Sequence, residues 1–198
     1  MKPATGNQNQ AVLAGKRILL GVTGSIAAYK SALIVRLLVK AGAEVQVILT
    51  EAATAFVTPL TLGTLSKKPV LTGFLRDAAA GEWHNHVELG LWADALLIAP
   101  ASANTVGQLA SGLCPNLLCA VYLSARCPVM LAPAMDLDMF AHPATQYNLA
   151  RLRTFGNQVL TSPSGELASG LSGPGRMLEP EEIVAALARL FENQETII

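Results

Sequence analysis

The sequence predicts an α/β protein built on a parallel sheet, and three stretches carry that expectation. Between Asp94 and Pro100 lies an apolar segment, A-L-L-I-A. It is short enough for a strand and apolar enough to be buried on both faces, as parallel strands are. Arg17 to Val22, a glycine turn, an amphipathic stretch ending at Lys40 and an apolar run from Val45 to Leu49 follow one another. That order is strand, helix, strand, a βαβ unit. Pro128 to Ala132 repeats the buried-strand pattern. Together they describe a three-layer, doubly wound parallel sheet, Rossmann or flavodoxin-like, and 198 residues suit one such domain.

Residues 1–15 are polar and lack the apolar centre of a signal peptide, so a frayed tail is expected, with the domain over 16–192 and a second tail over 193–198. The turn after the first strand, T-G-S-I-A-A-Y-K, holds Gly21 and Gly24 in G-x-x-G spacing, which is not the dinucleotide fingerprint. Gly24, Ser25 and Ile26 can instead aim backbone N–H groups and a hydroxyl at one phosphate. A mononucleotide such as a flavin phosphate therefore fits better than a dinucleotide, although any tight βα turn can need a glycine. Leu33, Leu37 and Leu38 fall at helical spacing, and Gly42 sits where a C-cap glycine belongs. Thr50 offers a hydroxyl after the second strand, and Glu51 could hold a ribose, which keeps an NAD reading open. Ala52 to Leu65 reads as short helices broken at Pro59, with Phe56 either a core aromatic or facing a ligand. Lys67 to Glu82 reads as loop.

The central stretch runs W-H-N-H-V-E-L, then the strand Ala95 to Ala99, a stop at Pro100 and S-A-N-T. Ser102, Asn104 and Thr105 lie at the strand's carboxyl edge, where open α/β sheets bind ligands. His84 and His86 form an H-x-H pair without a third ligand at a supporting spacing, so no metal site is expected. One histidine as a base or donor is the better functional reading, and an exposed loop histidine is the plain one. Val106 to Ser111 is a helix, and another begins at Pro115. A-P-A-M-D-L-D-M-F, with Asp136 and Asp138, reaches a second carboxyl edge, where either aspartate can cap a helix. His142 to Leu152 is helical, Gln158 to Leu160 a last strand and Glu181 to Glu192 a closing helix. Between these two lies the glycine-rich stretch Ser162 to Met177, of the kind that forms a lid or a disordered segment.

Hydrophobic residues make up 52% of the chain and charged ones 14%. So few charges cannot cover an isolated subunit well, so an oligomer is expected. No apolar run nears the ~20 residues of a membrane span. Fourteen basic and fourteen acidic residues leave no net charge, which disfavours nucleic-acid binding. Cys114, Cys119 and Cys127 are odd in number and show no C-x-x-C spacing, as in reduced proteins of the cytoplasm.

Taken in order, G-S-I-A-A-Y-K, H-V-E-L-G-L-W-A-D, P-A-S-A-N-T and P-A-M-D-L-D-M resemble the flavin-dependent cysteine decarboxylases, over about Lys16 to Leu190. Peptidyl-cysteine decarboxylases and flavin prenyltransferases share that fold, but G-R-M-L-E-P resembles the coenzyme A branch. The resemblance implies decarboxylation of 4′-phosphopantothenoylcysteine to 4′-phosphopantetheine. It implies FMN at a subunit interface of a homotrimer, often assembled into a dodecamer, and a ligase domain that this chain does not contain after Glu192. Gly24, Ser25, Ile26, Thr50, Phe56, Ser102, Ala103, Asn104 and Met135 would then contact FMN. Asn116, Ala134, Met135, Asp136, Met139 and Arg176 would face substrate, and His86 would be the catalytic histidine. Two positions depart from the family: Asp136 stands where asparagine is usual, and Ser169 or Ser172 where the lid carries a proton-donating cysteine. Oxidation and CO2 loss are therefore expected, with the return of electrons hindered. A peptide C-terminal cysteine as substrate, or a non-catalytic FMN-binding regulatory oligomer, are the competing readings.

Overall fold

In a computed structural model, which describes residues 12–77 and 79–195, the expected parallel sheet forms. Its strands are β1 (Arg17–Val22), β2 (Glu44–Leu49), β5 (Ala95–Ala101), β6 (Val129–Pro133) and β7 (Gln158–Val159). They lie in the order β2-β1-β5-β6-β7, every neighbouring pair parallel. Two antiparallel hairpins, β3 (Leu75–Asp77) with β4 (Glu82–Trp83) and β8 (Gly165–Glu166) with β9 (Ser172–Gly173), lie outside that sheet.

The layers follow from the period of a strand. Ile18, Leu20, Leu97 and Ala99 face one way, onto α1 (Ser31–Lys40), α2 (Pro59–Ser66) and α8 (Pro180–Glu195). Leu19, Leu96, Ile98 and Leu131 face the other way. There they meet α4 (Ala103–Ser111), α5 (Leu117–Ser124) and α7 (Pro143–Thr154), with α3 (His86–Trp92) alongside. Buried on both faces, β5 carries no polar side chain, hence the continuous apolar run in the sequence.

Several local expectations are corrected. Pro100 does not stop β5; the strand continues through a cis Ala99–Pro100 bond to Ala101. The register shifts there, so Ala99 and Ala101 face opposite layers although two residues apart. Leu33 is half exposed, because the buried stripe of α1 is Ile34, Val35 and Leu38. The short helices expected around Pro59 do form, a 3-10 turn over Glu51–Ala55 and then α2, which Pro59 opens because Thr58 Oγ1 caps the Thr61 N–H at 3.1 Å and proline needs no donor at a first turn. The 67–82 stretch is not plain loop. Leu71 is buried and bonds β2 through Leu71 N to Val47 O (3.0 Å) and Leu49 N to Leu71 O (2.8 Å), ahead of the β3–β4 hairpin. His142 separates α6 (Leu137–Ala141) from α7, accepting the Ala144 N–H on Nδ1 at 3.1 Å. The packed fold starts before Lys16, with Leu13 fully buried, and α8 runs to Glu195. Residues 1–11 and 196–198 of the expected tails lie outside the described residues. Gly42 takes the left-handed conformation (φ +84°) expected after α1.

Candidate functional site

The order β2-β1-β5 means that the chain leaves β1 toward one side and returns on the other. The loops leaving the carboxyl ends of β1 and β5 therefore diverge and open a crevice, the usual ligand position in such sheets. A cavity of ≈870 Å³ fills it, lined by the segments that follow β1, β2, β5 and β6. Glu166, Leu167, Ala168, Gly175, Arg176 and Met177, from the glycine-rich stretch, complete the wall. That stretch is an ordered hairpin here.

Each wall is fixed by short-range chemistry. Thr23, fully buried, donates to Pro100 O at 2.8 Å and accepts the Ser102 N–H at 2.9 Å, tying the β1 turn to the end of β5. Gly24 packs so closely that an added Cβ would meet Ala52 Cβ at 2.7 Å. Only glycine lets the two turns approach, and the cradle this leaves has room for backbone to reach a phosphate. Ser25 caps the helical segment from Ile26, its Oγ accepting the Ala27 N–H at 3.3 Å. Ser102, Asn116 and Asp136 are N-caps of α4, α5 and α6. Several helix N-termini thus point at one cavity, an arrangement suited to negative charge. Gly175 (φ +125°) lies so near Met135 O that a Cβ would meet it at 2.5 Å, while Met135 N–H donates to Gly175 O at 3.0 Å. That contact seats the hairpin on the β6 edge.

The cavity's two cations, Lys30 and Arg176, share one carboxylate. Lys30, its side chain 7% exposed, donates to Glu179 Oε1 at 2.8 Å, and Arg176 donates to the same oxygen at 3.0 Å. The Lys30 hydrogen bond, chiefly, holds the Glu179 carboxyl below the usual range; burial opposes it and the charges of Lys30 and Arg176 assist. A depressed carboxyl stabilises the fold above its ordinary titration range, and that contribution is lost as pH falls through its folded value. Glu179→Gln should therefore lower stability at pH 7 by about 1–2 kcal/mol. Breaking a fully buried pair costs ~3–5 kcal/mol, but Glu179 is 45% exposed. Denaturant melts should show the gap between wild type and variant closing below about pH 4.3, the ordinary glutamate value. A pH-independent gap would contradict this ion-pair account.

Cys119 is buried on α5, its thiol pushed up to about 11 by desolvation first, so it is no nucleophile at neutral pH. Its Sγ lies 3.5 Å from Gln108 Oε1, and Gln108 Nε2 donates to Asn104 Oδ1 at 3.3 Å.

Of the residues singled out in the sequence, Gly24, Ser25, Ile26, Thr50, Ser102, Ala103, Asn104, Asn116, Ala134, Met135, Asp136, Met139 and Arg176 line this one cavity. Phe56, His86, Ser169 and Ser172 are not part of its lining. Phe56 is exposed, so it is not a core aromatic. His86 is not in a loop: it opens α3 behind the Asn85 cap, with its ring 5.7 Å from Trp83. His86 Nδ1 is buried without a hydrogen-bond partner among the described residues. Ser169 is exposed, yet its Oγ donates to Asp136 Oδ1 at 3.0 Å. Ser172 lies on β9, paired with Glu166. Lys30 and Glu179 were not anticipated; no local pattern marks partners 149 residues apart. Glu51 lines the cavity as well. No cluster of three or more metal-ligating side chains occurs among the described residues, nor any helix long and apolar enough to cross a membrane.

An open α/β sheet with a glycine–serine turn and several capped helix ends at its switch point defines a protein that binds a phosphate-bearing cofactor. Residues 7–192 match the family described as Flavoprotein, and the chain belongs to it. A relative named cysteine/cysteine sulfinic acid decarboxylase, from an unknown prokaryotic organism, is 58% identical over 139 residues, 70% of this chain and 38% of the relative. The coenzyme A biosynthesis bifunctional protein CoaBC of Vibrio vulnificus is 46% identical over 180 residues, 91% of this chain and 45% of the relative. The chain thus spans less than half the length of these relatives. Among solved structures, a cysteine-to-serine mutant of PPC decarboxylase complexed with pantothenoylaminoethenethiol aligns with a TM-score of 0.78 and 33% identity, covering 90% of this chain and 99% of the other. The FMN binding protein AtHal3 gives the same score and identity over 90% and 98%.

Proposed function

We propose that this chain is an FMN-dependent carboxy-lyase that removes CO2 from a cysteine-derived thiol carboxylate. Its first substrate in this reading is 4′-phosphopantothenoylcysteine, in a coenzyme A pathway. The cavity at the switch point carries the proposal. Its volume suits a cofactor and a substrate fragment together. Gly24, Ser25 and the N–H groups behind them would hold the phosphate of FMN, with Ser102 and Asn104 beside the ring system. FMN, when bound, supplies the acceptor for two electrons from the thiol carbon, which the carboxylate needs before its bond to CO2 can break. The protein's own task is positioning: Leu167, on the β8–β9 hairpin, and Met177, just after it, line the cavity and would shield the reacting groups from water.

Mass spectrometry of the cofactor released from purified protein, with CO2 release from 4′-phosphopantothenoylcysteine, tests the reading. FMN and turnover support it. A nicotinamide cofactor would restore the NAD alternative, and bound FMN without turnover would favour a regulatory binding protein. Turnover of a peptide C-terminal cysteine instead would move the substrate.

The proposal includes a homotrimer or a multiple of it. Ile26, Tyr29 and Leu33 form one exposed apolar surface near the cavity, and Leu75, Trp83, Val87 and Leu91 another around His86. Neither is covered by the described residues, and exposed apolar groups of this extent call for a partner. Light scattering at micromolar concentration should give three subunits or a multiple of three; a monomer would end the proposal.

A further inference from the structure

We infer that Asp136, held in place by Ser169, forms a subsite for a cationic ammonium on the substrate's α carbon, so that the cavity accepts cysteine with a free amino group. The inference rests on the decarboxylase reading and names the group beside the scissile bond.

Asp136 lines the cavity, and its Oδ1 accepts the Leu137 N–H at 2.6 Å and the Ser169 hydroxyl at 3.0 Å. Both contacts come from donors, so they orient the carboxylate and leave it acceptor-only. Around the cavity stand three carboxylates, of Glu51, Asp136 and Glu166, against the cations of Lys30 and Arg176. Glu179 binds both cations through one oxygen. With Glu179 included, four carboxylates stand against two cations, so among the described residues negative charge is in excess around the cavity. A lone substrate carboxylate beside Asp136 would be repelled. A free amino acid places an ammonium on the carbon that bears its carboxylate. That ammonium can donate to Asp136 and screen one anion from the other, whereas an amide nitrogen carries no charge to do so.

The reaction on such a substrate balances without further reagents. The bond from the α carbon to the carboxylate breaks, CO2 leaves and a proton takes its place. Where the cofactor returns its two electrons, the thiol and the amine emerge unchanged; where it keeps them, CO2 leaves all the same and the product is the ene-thiol, lighter by two hydrogens, beside reduced cofactor.

The test compares compounds that differ only at nitrogen, on FMN-loaded protein under nitrogen. First-turnover CO2 release from L-cysteine, as rate per substrate concentration, should exceed that from N-acetylcysteine at least about 10-fold, the scale of one charge-assisted hydrogen bond. Asp136→Asn, which keeps a good helix cap, should lower the ratio by at least about 10-fold. Calorimetry should show cysteamine binding more tightly than N-acetylcysteamine to the wild type and equally to Asp136→Asn. An unchanged ratio in the variant, or a wild-type preference for N-acetylcysteine, overturns the inference. If neither compound releases CO2, the decarboxylase reading fails for them, and the calorimetric pair still decides the subsite: equal binding to the wild type overturns it.

Discussion

Changing His86 to asparagine is expected to leave FMN bound while slowing substrate-driven bleaching of the flavin absorbance by about 10²–10⁴-fold, the range of a lost acid–base group. His86 sits at the first position of α3, and its Nδ1 is buried without a partner among the described residues. An unpartnered buried nitrogen costs about 1–3 kcal/mol, a cost tolerated where a group serves something beyond the subunit's own stability. Within one chain the histidine lies outside the cavity lining. Trp83, Val87 and Leu91 beside it are exposed, so the face around the imidazole is open to a neighbouring copy. In the trimer proposed above, that face would bring His86 to a neighbour's cavity. Stopped-flow bleaching and released-cofactor stoichiometry should be measured on the same preparation. Bleaching at the wild-type rate would make His86 a structural residue, and loss of FMN would move it to cofactor binding.

The second large effect concerns the lid. When the FMN-loaded protein is mixed anaerobically with 4′-phosphopantothenoylcysteine, the flavin should bleach in a single turnover and stay bleached. An ene-thiol lighter than substrate by CO2 and two hydrogens should accumulate, with little 4′-phosphopantetheine. The reason is the acidity of the lid side chain. Returning the electrons needs a proton at the same carbon skeleton, and a serine hydroxyl is a far weaker acid than a thiol with an ordinary value of about 8.5. Of the two candidate serines, Ser169 is the one whose hydroxyl reaches a cavity residue, through Asp136. Ser172 is held on β9 opposite Glu166. Ser169→Cys should therefore restore repeated turnover by about 10²-fold or more, and Ser172→Cys should not. Sustained turnover by the unaltered chain would show that another acid serves, with Asp136 the first to change. No bleaching at all would mean that Asp136 blocks this substrate, and Asp136→Asn would then recover it.

These two experiments draw on different kinds of information. The parallel sheet was legible in the sequence because a strand buried on both faces writes a continuous apolar run, as Leu96 to Ala99 does. The glycine–serine turn and Asp136 as a cap were legible because capping involves residues at most three apart. Leu33 was misread because helical spacing marks apolar faces without saying which of them a sheet will cover. The β3–β4 hairpin was missed because strands of two and three exposed residues leave no periodic signal. Chain order could not pair Lys30 with Glu179, bring Ser169 to Asp136, or carry His86 outside the cavity lined by the other site residues. Those placements depend on how the sheet orders its strands and on where the 165–173 hairpin lands, which distant burial and ion pairing decide together.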